Sequence, residues 1–344
     1  MAPLTLRLLS QEDVIKCDGL NMQKTLEDME KFFSLEEKGE VVFPSKTVLR
    51  WGDIKSEETK GRINCMPAYV GGNINVPGIK WIGSAPLNPL KYNIPRASAV
   101  TILNDPDKLT PVAIMDGTLI SAMRTGAVTG IGAKYLARSD SEIVGLIGAG
   151  VQNKTQLMAL NEVLTNLKKV FIYDINKQKA HTWAEEMSKK LKLKIEIGEN
   201  VQKTIENADV VVTATTSVNP VIKKDWFKEG VFYSQVGGNE CKAEAILNFD
   251  KFVVDNWGEV LHRGIFTIAH MYKDGKFKKE NLHSTIGEII IKKKAGRENK
   301  KEKILFSPIG MGAEDVMVAS RIYREAIKNG IGTKFDLWQE PFIW

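Results

Sequence analysis

The chain has 344 residues, of which 43% are apolar, so it is long enough for two domains with packed cores. Lysine and arginine number 48 against 42 acidic residues, a modest excess that suits anionic small molecules. The basic residues are dispersed, and the one dense run, at 292–303, is interrupted by glycine and glutamate and is typical of a solvated loop. We therefore expect no nucleic-acid partner.

The sequence shows no pattern typical of a targeting signal, a membrane span, a disulfide or a metal site. The amino-terminal residues lack the apolar stretch of a signal peptide, and no apolar run approaches the roughly 20 residues needed to cross a membrane. Cys17, Cys65 and Cys241 are scattered without paired spacing, which favours reduced thiols. The histidines show no metal-ligand spacing. We expect a cytoplasmic protein with no membrane partner and no metal.

The first third of the chain predicts an α+β region. An amphipathic helix is expected at 22–37, where Leu26, Met29, Phe32 and Phe33 recur at helical spacing. Strands follow at 47–51, 61–66, 78–82 and 97–103, and a turn at 104–107 leads to a hairpin partner at 112–116. These elements predict an antiparallel sheet, and a helix at 119–136 follows it.

A dinucleotide-binding pattern begins at residue 142. A β-rich run at 142–147 leads into Gly148-Ala-Gly150, then a helix at 154–167, and then a strand that ends at Asp174. The glycines allow a tight turn and close approach of a pyrophosphate to the helix N-terminus, and an acid at this spacing reaches the adenosine ribose. A carboxylate repels a 2′-phosphate, so NAD is favoured, although Lys177 or Lys179 leaves NADP open.

Strands then alternate with helices, which predicts a doubly wound parallel sheet of the Rossmann type. The expected elements are a helix at 178–191 and strands at 194–198, 209–213, 230–236 and 251–255. Residues 307–315 open a final helix that returns to the first region. We therefore predict an α/β fold in which a Rossmann domain at 128–314 is inserted in a split α+β substrate and dimerisation domain, 1–127 plus 315–344.

Seven motifs in this order resemble the ornithine cyclodeaminase/μ-crystallin family of NAD(P)-dependent amino- and imino-acid enzymes. The motifs are Cys65-Met-Pro67, Gly78-Ile-Lys80, Leu103-Asn-Asp105, Arg124-Thr125, Gly148-Ala-Gly150-Val-Gln152, Val236-Gly-Gly238 and Gly310-x-Gly-x-Glu-Asp315. The resemblance spans nearly the whole chain and implies a homodimer. It is far less specific for any one reaction within the family.

The resemblance also implies site residues. Arg50, Lys80 and Arg124 would hold the substrate α-carboxylate, and such cations can pair with a carboxylate by charge-assisted hydrogen bonds. Surface or ion-pairing cations are the alternative for all three. The cofactor residues implied are Thr125, Gly148, Gly150, Val151, Gln152, Asp174, Thr215, Val236 and Lys242.

Two asparagines depart from the cyclodeaminase pattern, which has a glutamate at the position of Asn64 and an aspartate at that of Asn239. The catalytic residues implied are Lys80 and Asn239, but an amide accepts no proton at neutral pH, so Asn239 can orient and not act as a general base. Glu240 or Glu244 could replace the missing acid. Cyclisation of ornithine is therefore in doubt.

Arg96 is a third departure, because cyclodeaminases have a small polar residue there. With its flanking segments it resembles the branch that oxidises N-(amino-carboxyethyl)-glutamate, and an extra arginine suits a substrate with several carboxylates. Arg96 could equally bind a cofactor phosphate or a neighbouring acid.

We expect hydride transfer between NAD(H) and the CH–NH or C=N bond of an amino or imino acid. One alternative is an ornithine or lysine cyclodeaminase that recycles its NAD. The other is a non-catalytic protein of the μ-crystallin type that binds NAD(P)H and small ligands.

Overall fold

The computed structural model describes residues 2–52, 61–217 and 219–342. The chain divides into two compact units. We call Met1–Arg124 with Met311–Trp344 the discontinuous unit, and Thr125–Gly310 the continuous unit. The boundaries between the units lie after Arg124 and after Gly310, a few residues before the predicted boundaries after residues 127 and 314.

The discontinuous unit consists of one sheet and the helices that pack on it. Its strands are β1 Leu4–Leu9, β2 Val41–Val42, β3 Thr47–Trp51, β4 Gly61–Val70, β5 Val76–Ser84, β6 Ala97–Asn104, β7 Pro111–Asp116 and β16 Thr333–Trp338. Its helices are α1 Gln11–Lys16, α2 Met22–Glu37, α3 Asn88–Lys91, the first part of α4 Thr118–Leu136, and α12 Gly312–Asn329. The strand order is β16-β1-β7-β6-β5-β4-β2, with β3 also paired to β4.

The pairings in this sheet are antiparallel except one. The predicted strands, β3 to β7, all pair antiparallel as expected, and β1, which was not predicted, runs parallel to β7. A parallel pair needs a long connection, and the chain from β1 to β7 supplies one because it forms β2 to β6 on the way.

Helix α2 has the predicted bounds. Its apolar positions Leu26, Met29, Phe32 and Phe33 are all buried, and the Asn21 side chain caps its first turn. The carboxyl-terminal helix α12 packs closely on the sheet, since a Cβ at Gly312 would lie 2.4 Å from the Met66 carbonyl oxygen of β4. The chain therefore returns to its first sheet after the continuous unit is complete.

The continuous unit has a wholly parallel sheet, which confirms the predicted doubly wound fold. Its strands are β8 Ile143–Ile147, β9 Lys169–Tyr173, β10 Lys194–Ile197, β11 Val210–Thr213, β12 Phe232–Gln235, β13 Lys251–Val254, β14 Ser284–Thr285 and β15 Ile304–Ser307. The order is β10-β9-β8-β11-β12-β15-β13-β14. The direction of winding changes between β8 and β11, and ligands of such sheets bind at this switch point, beyond the carboxyl ends of the strands.

Helices connect these strands. They are the remainder of α4, α5 Val151–Val163, α6 Lys177–Leu191, α7 Val201–Ile205, α8 Ala243–Ile246, α9 Trp257–Arg263, α10 Thr267–Lys273, a 3₁₀ turn at Lys279–Asn281, and α11 Ile286–Ile290. Helix α5 begins directly after the glycine turn and ends before the predicted limit of 167, because Leu164 leaves the helical conformation. Residues 292–303 form a loop, as predicted. Within the described ranges, no helix has the length and apolar character needed to span a bilayer.

Candidate active site

Four buried charged side chains form a cluster in the discontinuous unit. Lys80 on β5 donates to the Asp315 carboxylate of α12 at 2.7 Å and lies 3.3 Å from the Ser121 hydroxyl. Arg124 on α4 contacts the Glu314 and Asp315 carboxylates at 2.5 and 3.2 Å. The Lys80 and Asp315 side chains are 2% and 0% exposed. Two cations and two carboxylates thus neutralise one another, which offsets the cost of burying them.

The environment of Lys80 changes its acidity. Burial, and after it the positive charge of Arg124, lower the pKa of the Lys80 ammonium to about 8, against the opposing effect of Asp315. The neutral form of this lysine is therefore more accessible than that of an exposed lysine. The motifs predicted that Lys80 and Arg124 would act together, and in the structure both contact Asp315. The sequence showed Glu314 and Asp315 only as members of a motif and did not predict their contacts with the two cations.

Arg50 lies on the same sheet at some distance from this cluster. It is on β3 directly opposite Arg62 of β4, whereas Lys80 is opposite Met66, four residues further along β4. The strand register therefore does not place Arg50 beside Lys80 and Arg124. Arg96 is exposed and directly precedes β6, where its carbonyl accepts a hydrogen bond from the Ala85 N–H.

The glycine turn of the continuous unit lies between β8 and α5. Gly148 has a φ of +101°, and a Cβ there would lie 2.8 Å from the Ala214 carbonyl oxygen, so the turn requires glycine. A Cβ on Gly150 would instead point into open space. Gly150 is the N-cap of α5, and within the described residues no side chain caps this helix. Exposed Val151 and half-buried Gln152 follow it in the first turn.

Asp174 is tied to this turn. Its carboxylate accepts hydrogen bonds from the Ala149 N–H at 2.8 Å and from the Asn176 N–H at 2.9 Å. Each carboxylate oxygen has a further lone pair, so the group retains capacity to accept hydroxyl donors. The predicted residues Gly148, Gly150, Val151, Gln152 and Asp174 are thus brought together. Open space at Gly150, an uncapped helix N-terminus and a fixed acid fit a dinucleotide.

Glu240 joins two loops at the carboxyl ends of adjacent strands. It is buried, and it accepts hydrogen bonds from the Thr215 N–H after β11 and from the Gly237 N–H after β12. Burial raises the pKa of its carboxyl, while the hydrogen bonds oppose this shift. Thr215 and Val236, both predicted cofactor residues, flank this bridge. Both Glu240 oxygens accept main-chain N–H groups, so this acid holds the two loops together.

Asn239 and Lys242 line a shallow surface pocket of about 290 Å³ in the same unit, with Thr267 and His270. The Thr267 hydroxyl donates to Asn239 Oδ1 at 3.4 Å, and Lys242 is exposed. Thr125 is half-buried on α4, and its carbonyl accepts a hydrogen bond from the Gln156 side chain of α5. Within the described ranges, no group of three or more histidine, cysteine or acidic side chains could hold a metal ion.

Comparison with known proteins gives concordant matches. A profile of the ornithine cyclodeaminase/mu-crystallin family matches residues 7–330. The N-((2S)-2-amino-2-carboxyethyl)-L-glutamate dehydrogenase of Staphylococcus aureus is 34% identical, over 96% of this chain and 98% of that protein.

Solved structures agree with this match. The Δ1-pyrroline-2-carboxylate reductase of Thermococcus litoralis, in complex with NADH and L-proline, superposes with a TM-score of 0.87 at 36% identity, over 95% of this chain and 99% of that one. An archaeal alanine dehydrogenase dimer with bound NAD gives a TM-score of 0.86 at 31% identity, over 97% and 100% of the two chains.

Replacing Lys80 tests whether the cluster is held by charge pairing. We expect Lys80→Met to lower the free energy of unfolding by about 3 kcal/mol, because Asp315 loses its closer cation while it stays buried. Lys108→Met is a matched control, since Lys108 is 76% exposed and 3.8 Å from Asp105, and should change stability by less than about 0.5 kcal/mol. Denaturant unfolding measures both, and equal effects would contradict the assignment.

Proposed function

The chain belongs to the ornithine cyclodeaminase/μ-crystallin family, and we propose that it is an NAD(H)-dependent oxidoreductase of amino and imino acids. The observation that supports this most directly is that one chain holds both a dinucleotide turn with its acid, Gly150 and Asp174, and a buried cation pair, Lys80 and Arg124. The relatives named above are, by name, dehydrogenases or reductases of such compounds.

The proposed chemistry assigns a task to each group. NAD(H), when bound, supplies the hydride acceptor or donor. Arg124 as a cation and Lys80 as a hydrogen-bond donor bind and orient the substrate α-carboxylate, and fixing the substrate in this way can supply several kcal/mol of the barrier. Lys80, with its lowered pKa, accepts a proton from the substrate ammonium in the oxidative direction, because only the neutral amine can become an iminium.

Lys80→Arg keeps the charge but cannot release a proton, so it should retain binding and lose turnover.

Asn239 has an orienting task in this scheme. Its amide can hold a water or an amine by hydrogen bonds but cannot take up a proton. Hydride transfer to or from the CH–NH or C=N bond needs no acid at this position, whereas ring closure in a cyclodeaminase adds proton transfers at a second amino group. This difference favours the dehydrogenase or reductase over the cyclodeaminase.

Nicotinamide absorbance at 340 nm tests the proposal. The panel contains N-((2S)-2-amino-2-carboxyethyl)-L-glutamate and L-alanine with NAD⁺, and pyrroline-2-carboxylate with NADH. We expect a net change with at least one of them. A flat trace accompanied by proline and ammonia from ornithine would indicate the cyclodeaminase instead. Binding of NADH without turnover of any substrate would indicate the ligand-binding protein.

Asp174 provides a test of cofactor choice. We propose NAD over NADP because the carboxylate repels a 2′-phosphate. Asp174→Asn should raise the ratio of kcat/KM for NADPH to that for NADH by about tenfold, roughly 1.4 kcal/mol. Asp140→Ala is the control, since Asp140 precedes β8 and so lies at the amino-terminal edge of the sheet. An unchanged ratio in the Asp174 variant would contradict the assignment.

A homodimer in the cytoplasm completes the proposal. The family resemblance and the dimeric archaeal relative support the dimer. Edge strand β16 also leaves all six of its residues exposed, including Phe335 and Leu337, and such an edge is suited to further pairing. The three free cysteines support a reducing compartment. A monomeric mass in light scattering would contradict the dimer.

A further inference from the structure

The carbonyl oxygens of the glycine turn between β8 and α5 are held by side chains. A carbonyl oxygen carries partial negative charge and repels a diphosphate, whereas a main-chain N–H attracts it, so a turn that binds this anion must point its carbonyls elsewhere. The carbonyls of Gly148 and Gly150 each accept a hydrogen bond from a side chain. The two donors are Asn153 of α5 and Trp183 of α6.

Trp183 reaches the turn from the neighbouring helix. Its indole Nε1–H donates to the Gly150 carbonyl oxygen at 3.2 Å, and the residue is 2% exposed. It belongs to the buried stripe of α6, with Ala180, Ala184 and Met187. An apolar stripe explains why a large ring lies here, but a buried indole N–H also needs an acceptor. The Gly150 carbonyl, with two lone pairs, can serve both this donor and the first turn of α5.

Asn153 holds the other glycine carbonyl from within α5. It is fully buried, and its Nδ2 donates to the carbonyl oxygens of Ile147 and Gly148 at 3.0 and 2.6 Å. Position 153 is that of the third glycine in the general dinucleotide fingerprint, where a missing side chain permits close packing of helix and strand. Here an amide occupies the position instead. A half-turn of this amide would set its oxygen against two carbonyl oxygens, so its orientation is fixed.

Trans peptides convert these inward carbonyls into N–H groups that point the other way. The C=O and the following N–H of a planar trans peptide have opposite directions. In the peptide from Gly148 to Ala149, the N–H accordingly meets the Asp174 carboxylate at 2.8 Å. In the peptide from Gly150 to Val151, the N–H is directed away from α6 and has no partner inside its own helix. A Cβ on Gly150 would point into open space, and Val151 is 65% exposed, so there is room for a ligand.

We propose that Trp183 and Asn153 are positioning residues for the diphosphate of NAD. They hold the two glycine carbonyls inward, so that the Val151 N–H is directed to the anion. The inference rests on the cofactor of the proposed function and not on its substrate. Neither side chain touches the cofactor, because each acts through a main-chain carbonyl. Trp183 and its partner are 33 positions apart, and no local sequence pattern reveals the contact.

Trp183→Phe tests the inference, because it keeps an aromatic ring in the core and removes the N–H. The Kd of NADH, measured by isothermal titration calorimetry, should rise about five- to tenfold, since the Gly150 carbonyl loses its side-chain donor. The KM of the cofactor should rise by a similar factor. The KM of the amino- or imino-acid substrate, and kcat at saturating cofactor, should stay within about twofold of the wild type.

Trp226→Phe is the matched control. Trp226 is half-buried in the same unit and precedes β12, so it lies toward the amino-terminal edge of the sheet, away from the glycine turn. The same ring change there should leave the Kd of NADH within about twofold. If Trp183→Phe raised the KM of the substrate as much as that of the cofactor, its role would be one of general packing and the inference would be overturned.

Asn153→Ala tests the second side chain. It removes the donor to the Gly148 carbonyl and places a good helix former in α5, so the helix itself is not weakened by propensity. The Kd of NADH should again rise, with the KM of the substrate unchanged. An unchanged Kd in either the Trp183 or the Asn153 variant would contradict the proposal.

Calorimetry also separates this inference from the proposed function, because it needs no turnover. Weaker binding of NADH to Trp183→Phe, with no turnover of any substrate by the wild type, would support the inference and contradict the oxidoreductase. Turnover by the wild type with an unchanged Kd in Trp183→Phe would overturn the inference alone. A wild-type protein that does not bind NADH would overturn both.

Discussion

The buried ion cluster of Lys80, Arg124, Glu314 and Asp315 is the constraint on which the discontinuous unit depends. Its members come from a central strand, from the helix that leads into the continuous unit, and from the helix that follows it. None of the four could remain charged in this interior without the others, because an isolated buried charge costs several kcal/mol. The unit is therefore complete only when α12 returns, and the same pairing fixes the positions of the Lys80 and Arg124 side chains.

Carboxylates also organise the continuous unit, but there they accept main-chain N–H groups. Asp174 fixes the glycine turn to the end of β9, and Glu240 joins the loops after β11 and β12. A buried carboxylate that accepts such bonds rigidifies loops whose own backbone groups have no ladder partners. Rigid loops at the carboxyl ends of parallel strands are what a preorganised dinucleotide site requires, and they reduce the entropy lost when the ligand binds.

Structural elements that depend only on residues close in sequence could be predicted from local sequence patterns. Helix α2 has a buried apolar stripe and an asparagine cap, and the dinucleotide unit is a contiguous strand, turn and helix, so both were predicted closely. Strands β1 and β16 were missed, and both pair with chain that is distant in sequence. The Lys80–Asp315 pair spans 235 positions and has no periodic signal. Its residues could be named from motifs, but their pairing could not.

Charge balance relates the departures from the cyclodeaminase pattern to one another. The Lys80 cluster is already neutral, so a bound α-carboxylate adds one uncompensated negative charge to its surroundings. A glutamate at position 64 would add another on the same face, whereas Asn64 adds none. The replacement of an acid by an amide therefore leaves this face of the sheet less negative than the cyclodeaminase pattern would make it.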